Sequence, residues 1–421
     1  MIPPWKRVCQ AGLACAAALL LTAADDPVAP QRKPSETAKP EAARLSEALR
    51  DAWPDRPEWL DMYTDIIQGS QLGPTDGWFR RAVAQTRFGW DAARKRFDRD
   101  GDGRISRKEF PGPDADFVRL DRDHDRALTE TDFDFSPHAL TISPGAILFF
   151  RADRDSNGKV TRDELDAYFK HCDSGDQGFL SLSDLQEAFR MPATRPAPAG
   201  ARSGPSKETL IRGLFGQELG SLQPGPALGE LVPDFTLKTN DAKTEVTLSK
   251  LVGPKPVVLV FGNFTCGPFR AQAGNVEKLY RMYKDRATFV MIYVREAHPT
   301  DGWIEESNDR VGVSLRQPRT YNERVSVAQT CGKRLGLGFP MLVDTIDDAV
   351  GARYSGMPSR LYLIDTDGKV AYKSGRGPFG FKPAELEHSL VLLLQERTNA
   401  AAERSARVSL LDDADAWRHK K

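Results

Sequence analysis

The chain has 421 residues and balances 59 Lys and Arg against 59 Asp and Glu, with 40% hydrophobic residues. That length suggests two or three domains, and the charge balance excludes a global basic excess that would draw the protein to nucleic acid or acidic lipid. Five cysteines spread over such a chain exclude a dense disulfide framework.

Residues 1–24 open with Lys6 and Arg7, continue with the apolar run AGLACAAALLL and end in Ala23 and Ala24. Charged, apolar and small-residue parts in that order read as a signal peptide, and the apolar part is short for a membrane span. The expectation is export to the periplasm or extracellular space, with membrane attachment only if this segment stays uncleaved. Cleavage removes Cys9 and Cys15 and leaves Cys172, Cys266 and Cys331. An odd number in an oxidising compartment points to a free reactive thiol or an intermolecular bond. Residues 25–45 are rich in Pro, Ala, Lys and Glu with hardly any large apolar side chain, and read as a disordered linker.

Residues 46–192 read as an all-α EF-hand domain. Trp59, Tyr63, Ile66 and Ile67 share one helical face, and GPTDG at 73–77 breaks the helix before Trp78 and Phe79 restart it. Four acidic loops follow. In the first, Asp98, Asp100 and Asp102 precede Gly103, Arg104 offers its carbonyl at position seven, and Glu109 closes the loop at position twelve. Asp153, Asp155, Asn157, Gly158, Lys159 and Glu164 repeat that pattern. Calcium is a hard cation that takes six to eight oxygens, and this spacing of carboxylates about one glycine supplies them. The expected cofactor is therefore calcium. The other two loops are weaker matches: Arg126 replaces the glycine and Asp132 the glutamate in the loop from Asp121, while Gly175 and Gln177 replace carboxylates in the loop from Asp173. Ile105, Leu128, Val160 and Leu180 all hold position eight, where paired EF-hand loops join, so each strong loop is expected to pair with a weak one.

Residues 193–208 form a Pro/Ala/Gly linker. The next region, 209–400, alternates strands and helices: a hairpin around Asn240 and Asp241, an apolar run Val257–Val260, a strand at Thr288–Val294, a helix at Glu323–Leu335, a strand after Pro340, a hairpin turning at Asp367 and Gly368, and a helix from about Pro383 to Leu394. Residues 401–421 form a tail. Cys266 lies between the Val257–Val260 strand and a helix, where the unpaired N–H groups and the macrodipole favour a thiolate. The fold class is multidomain, an all-α EF-hand domain followed by an α/β thioredoxin-like domain. Pro358 stands where that fold keeps a cis-proline against the reactive cysteine.

FGNFTCGPF at 261–269, IYVREAHPTDGW at 292–303, RVSVA at 324–328 and SGRGPFGF at 374–381 together resemble the iodothyronine deiodinases. The resemblance implies that Cys266 replaces the family's selenocysteine, that Glu296 and His298 match its acid and histidine, and that Arg376 matches an arginine implicated in substrate contact. Two positions depart from the family: Pro318 stands for a histidine and Phe264 for a cysteine found in some members. On the residues alone, a Cys266 thiolate attacks a halogen or a peroxidic or disulfide sulfur and leaves an oxidised sulfur for a second thiol to reduce. His298 is placed to protonate the leaving group and Glu296 to orient it, both on one face if their strand continues. Thr265 is placed to hydrogen-bond the sulfur. Cys331 is either a resolving cysteine or packed in its helix, with the reductant external. The expected partners are a small halogenated or peroxidic substrate and an external thiol reductant, with no nucleic acid. The rivals to a deiodinase-like oxidoreductase are a peroxiredoxin-like peroxidase, and a calcium-dependent scaffold with an inactive redox domain.

Overall fold

The computed structural model describes residues 38–70, 82–135, 144–173, 175–189 and 205–418. The segment 1–24 expected to be a signal peptide, residues 25–37, Trp78, Phe79 and the expected linker up to residue 204 lie outside the described residues. No helix among the described residues is long and apolar enough to cross a membrane.

Among the described residues ten strands occur in chain order: β1 Gln85–Thr86, β2 Ile105–Ser106, β3 Ala127–Leu128, β4 Thr236–Thr239, β5 Glu245–Thr247, β6 Val257–Gly262, β7 Thr288–Tyr293, β8 Met341–Val343, β9 Arg360–Ile364 and β10 Val370–Lys373. Eight of them make one sheet in the order β1-β10-β9-β6-β7-β8-β4-β5. β6 runs parallel to β7 and antiparallel to β9. The inner order β10-β9-β6-β7 with those directions is the thioredoxin arrangement, so this part of the expectation holds. Every residue of β6 is buried, as a strand covered on both faces requires. Each buried aliphatic or aromatic side chain there contributes about 1.5–3 kcal/mol, which makes β6 a firm platform for the turn that follows it. The next helix, Gly267–Tyr283, buries Phe269, Ala273, Val276, Leu279 and Tyr283 on one stripe, and Pro268 in its first turn lacks only an N–H that would have no helical partner.

The N-terminal half departs from the expected all-α domain. β1 pairs antiparallel with β10 and so extends the large sheet. β2 and β3 join through Ile105 opposite Leu128, the position-eight contact anticipated for the first loop pair. Phe97, Phe110, Phe117 and Leu120 belong to the same continuous core as the large sheet. The helices here, Trp90–Phe97 and Asp114–Leu120, are too short to bury a core of their own. Asp114–Leu120 leans instead on the Pro383–Arg418 helix, where Arg119 pairs with Glu387 at 3.1 Å and His388 Nε2 lies 3.3 Å from the Leu120 carbonyl.

Two boundaries also move. A helix at Ala38–Ala52 starts inside the stretch expected to be disordered, because Ala, Glu, Leu and Arg are strong helix formers and Glu41 and Arg50 suit its two ends. The last helix continues to Arg418, through most of the expected tail.

Candidate active site

Cys266 is the N-cap residue of the Gly267–Tyr283 helix, so the strand–turn–helix placement is as expected. Its ionisation is not. The residue is only 1% exposed, and burial pushes its thiol up to about 11 against the opposing pull of the Phe269 N–H, the Arg270 charge and the Ser359 hydroxyl. The resting group is a neutral thiol because the cost of desolvating a thiolate outweighs the helix end.

Thr265 does not serve the sulfur. Its hydroxyl donates to Glu296 Oε2 at 2.7 Å, its N–H reaches the same oxygen at 2.9 Å, and its oxygen accepts the His298 N–H at 3.0 Å. Glu296 also accepts the Tyr293 hydroxyl at Oε1. Burial raises the Glu296 carboxyl above its ordinary value despite these donors. β7 ends at Tyr293, so Glu296 and His298 do not share the face of a continuing strand as anticipated; Thr265 connects them. His298 Nδ1 lies 3.1 Å from the Trp303 carbonyl, and burial lowers the imidazole, which is therefore neutral at pH 7. With Nδ1 donating to that carbonyl, Nε2 is left as the acceptor.

Met357–Pro358 is cis, as the thioredoxin-like reading anticipates, and Gly377–Pro378 in the SGRGPF segment is cis as well. Asn263 Nδ2 donates to the Pro358 carbonyl at 2.9 Å, while its Oδ1 accepts the Cys266 and Ala297 N–H groups, both at 3.1 Å. Asn263 therefore fastens the cysteine turn to both opposing segments. Cys331 is fully buried in the Tyr321–Leu335 helix, and Cys266 and Cys331 are both free thiols.

Two charged residues at the site escaped the reading of the sequence. Arg270, one turn into the Cys266 helix, is 3% exposed. It donates to the Phe264 carbonyl at 2.6 Å and to Asn308 Oδ1 at 2.7 Å, and its Nε has no partner. Burial lowers its pKa, opposed by both Cys266 and Cys331. A charged residue on the apolar stripe of a helix was the available signal. Glu58 had none. It pairs with Arg360 and with Arg376, each at 3.0 Å. Although burial works against it, Arg376 and Arg360 hold the Glu58 carboxyl down at about 2. Arg376, expected at the substrate, is thus wholly buried, and also donates to the Ser221 carbonyl and Ser355 Oγ. The helix carrying Glu58, Glu58–Ile67, packs with Lys207–Phe215 against Trp303 and Phe379, next to His298 and the SGRGPF segment. An open depression of about 570 Å³ lined by Asn240, Tyr280, Lys333, Phe339 and Met341 contains none of the residues around Cys266.

The acidic loops bring carboxylates together in three places: Asp98 with Asp100 and Glu109, Asp121 with Asp123 and Asp132, and Asp153 with Asp155 and Glu164, each set offering oxygens within 4.8 Å of one another. Asp102 stands outside its group and accepts the Arg104 N–H. Burial raises Asp153 to about 7, reinforced by Asp155 and Glu164 and opposed by the Gly158 and Asn157 N–H groups. This loop touches the thiol region directly. A Cβ on Gly274 would stand 1.9 Å from the Gly158 carbonyl oxygen, so only glycine lets the Cys266 helix approach so closely. Lys159 Nζ donates to the Leu335 and Gly336 carbonyls at 2.6 and 2.9 Å, at the C-terminal end of the Cys331 helix.

The family model for iodothyronine deiodinase matches residues 219–393. The thyroxine 5-deiodinase of Sparus aurata is 30% identical over 184 residues, covering 44% of this chain and 67% of that protein. The type I iodothyronine deiodinase of Xenopus laevis is 33% identical over 136 residues, or 32% of this chain and 52% of that protein. The chain spans about half the length of the Xenopus laevis and Gallus gallus relatives. Among solved structures, a secreted disulfide oxidoreductase of Mycobacterium tuberculosis aligns over 38% of this chain and 96% of its own at 20% identity and a TM-score of 0.28; the fold assignment rests on strand order and not on that score. With Cys266, Glu296, His298 and Arg376 all inside the matched segment, and a relative matched over two thirds of its length, the chain belongs to the iodothyronine deiodinase family.

Proposed function

We propose that the protein is an exported, calcium-binding thiol oxidoreductase that reductively dehalogenates a small iodinated aromatic compound at Cys266. The observation that carries this reading is the buried Cys266 thiol at a helix N-terminus, close to a carboxyl network and a guanidinium with no carboxylate partner among the described residues. In the first step the sulfur attacks iodine, a sulfur–iodine bond forms, the carbon–iodine bond breaks, and a proton passes to the carbon. Enzyme–SH and R–I give enzyme–S–I and R–H. Sulfur is oxidised by two electrons and carbon is reduced. The proton that the product needs is the one the neutral thiol carries, which suits a resting thiol that is not ionised. Two equivalents of an external thiol then return enzyme–SH with a disulfide and HI. Arg270 and the Phe269 N–H favour negative charge as it develops on sulfur. Glu296, raised by burial, and neutral His298 relay the proton.

Calcium is proposed at the loops from Asp98 and Asp153. Asn157 Oδ1, buried and without a partner, fits a ligand role at position five. The side chains of Asp98, Asp100, Asp102 and Glu109, with the Arg104 carbonyl, would hold one ion. Those of Asp153, Asp155, Asn157 and Glu164, with the Lys159 carbonyl, would hold the other. The ion supplies positive charge that lets these carboxylates lie together. Export is proposed from the N-terminal segment, with a mature chain beginning near Asp25.

The test is iodide release from iodinated phenols with a dithiol reductant, run beside peroxide and disulfide substrates. Cys266→Ser should abolish turnover, and Glu296→Gln or His298→Ala should lower it by about 10² to 10⁴-fold. Turnover by Cys266→Ser equal to that of the unaltered protein would overturn the reading. Turnover of peroxides alone would replace it with a peroxidase.

A further inference from the structure

The loop from Asp121 to Asp132 is the one that the motif disfavours, since Arg126 takes the glycine position and Asp132 the glutamate position. Its backbone is nonetheless that of the two strong loops. Arg126 adopts φ 71°, beside 83° and 79° at Gly103 and Gly158. Asp132 accepts the Arg122 N–H at 2.7 Å and the Thr129 N–H at 2.8 Å, as Glu109 accepts the Arg99 and Ser106 N–H groups at 3.0 and 2.8 Å.

Backbone alone does not make a site, but the two buried charges here have no cationic partner among the described residues. Asp121 is 5% exposed and Asp132 0%. Asp121 Oδ2 accepts the Arg126 N–H at 3.0 Å, whereas its Oδ1 is buried with no hydrogen-bond partner. Neither buried carboxylate is ion-paired among the described residues; the nearby Asp125 is the one that engages a cation, Arg104, at 2.7 Å. Two buried carboxylates beside a third, Asp123, within 4.8 Å demand a counter-charge. Because an aspartate at position twelve is one methylene shorter than glutamate, it does not reach forward to grip a large ion with both oxygens. A smaller, six-coordinate ion that keeps some of its water suits the loop better than calcium does.

We infer that the Asp121–Asp132 loop is a third divalent-cation site, held by Asp121, Asp123 and Asp132 and fitted to magnesium. It is distinct from the two calcium loops proposed above and does not depend on them. The test is calorimetric titration of the metal-stripped full chain with MgCl₂. The expected result is one magnesium bound by the unaltered protein and by Glu109→Gln/Glu164→Gln, and none by Asp121→Asn. Asp121 is buried, so Asp123→Asn, at an exposed carboxylate, is the second variant; it too should lose the ion while keeping its circular dichroism. Asp132→Glu should shift the loop from magnesium to calcium, adding one ion to the CaCl₂ count and removing the magnesium heat. Absence of magnesium binding in the unaltered protein overturns the inference, as does binding that survives both Asp121→Asn and Asp123→Asn.

Discussion

The acidic loops and the thiol site place charged groups in opposite ways. In the loops the N–H groups that the closing carboxylate accepts are local: Glu109 binds N–H groups three and ten residues away. At the thiol site the partners lie 31 residues apart for Thr265 and Glu296, 95 for Asn263 and Pro358, and 302 for Glu58 and Arg360. The loops therefore hold their shape through twelve-residue patterns, whereas the site exists only in the folded sheet. The difference teaches where each region is vulnerable. Single loop substitutions should act on metal binding, and single substitutions under the site should act on the whole fold.

The largest expected effect breaks the long-range side of that contrast. Glu58→Ala leaves Arg360 and Arg376 buried without their carboxylate, and should destabilise the protein by about 3–5 kcal/mol in urea unfolding. A loss below about 1 kcal/mol would mean that the pair behaves like a surface contact.

A smaller effect tests the point where the two regions meet. Gly274→Ala drives a methyl group into the Gly158 carbonyl, and the overpacking should cost about 1–3 kcal/mol. It should also weaken calcium at the Asp153 loop while leaving the Asp98 loop unchanged. Equal calcium affinity at both loops in that variant would separate the loop from the thiol helix.

The smallest effect is in pH dependence. The Cys266 thiol is held at about 11, above the value of about 8.5 for an unfolded cysteine. Burial of the neutral thiol therefore contributes stability that is fully present below pH 8.5 and is lost as pH rises towards 11. At pH 8.5 and below, alkylation of Cys266 should lag that of a free cysteine by about 10²-fold. Cys266→Ser should remove this part of the pH dependence, and an unchanged slope would show that the thiol is accessible.

The contrast also accounts for what could be read from the sequence. The strand and helix around Cys266 and the Ile105–Leu128 pairing follow from local spacing, and the cis bond before Pro358 was expected from the likeness to the thioredoxin-type fold, so they were legible. The thiolate expected at Cys266 was not obtained, because burial depends on what covers the helix end and no local pattern reports it. Glu58 lies far outside the matched segment and could not be tied to Arg376 by any motif. The backbone of the loop from Asp121 was not legible either: φ above zero is the conformation the motif reserves for glycine, yet Arg126 occupies it, at a cost of about 1–2 kcal/mol.

Cys266 is proposed as the group that takes the halogen. The most direct measurement is a single turnover of the full chain with an iodinated phenol in the absence of reductant, with released deiodinated phenol quantified and the cysteines mapped by mass spectrometry. Up to one deiodinated product per chain is expected, with oxidation confined to Cys266, and with Cys172 and Cys331 unchanged. Product formed at the same level by Cys266→Ser, or oxidation falling on Cys331 while Cys266 stays reduced, would contradict it.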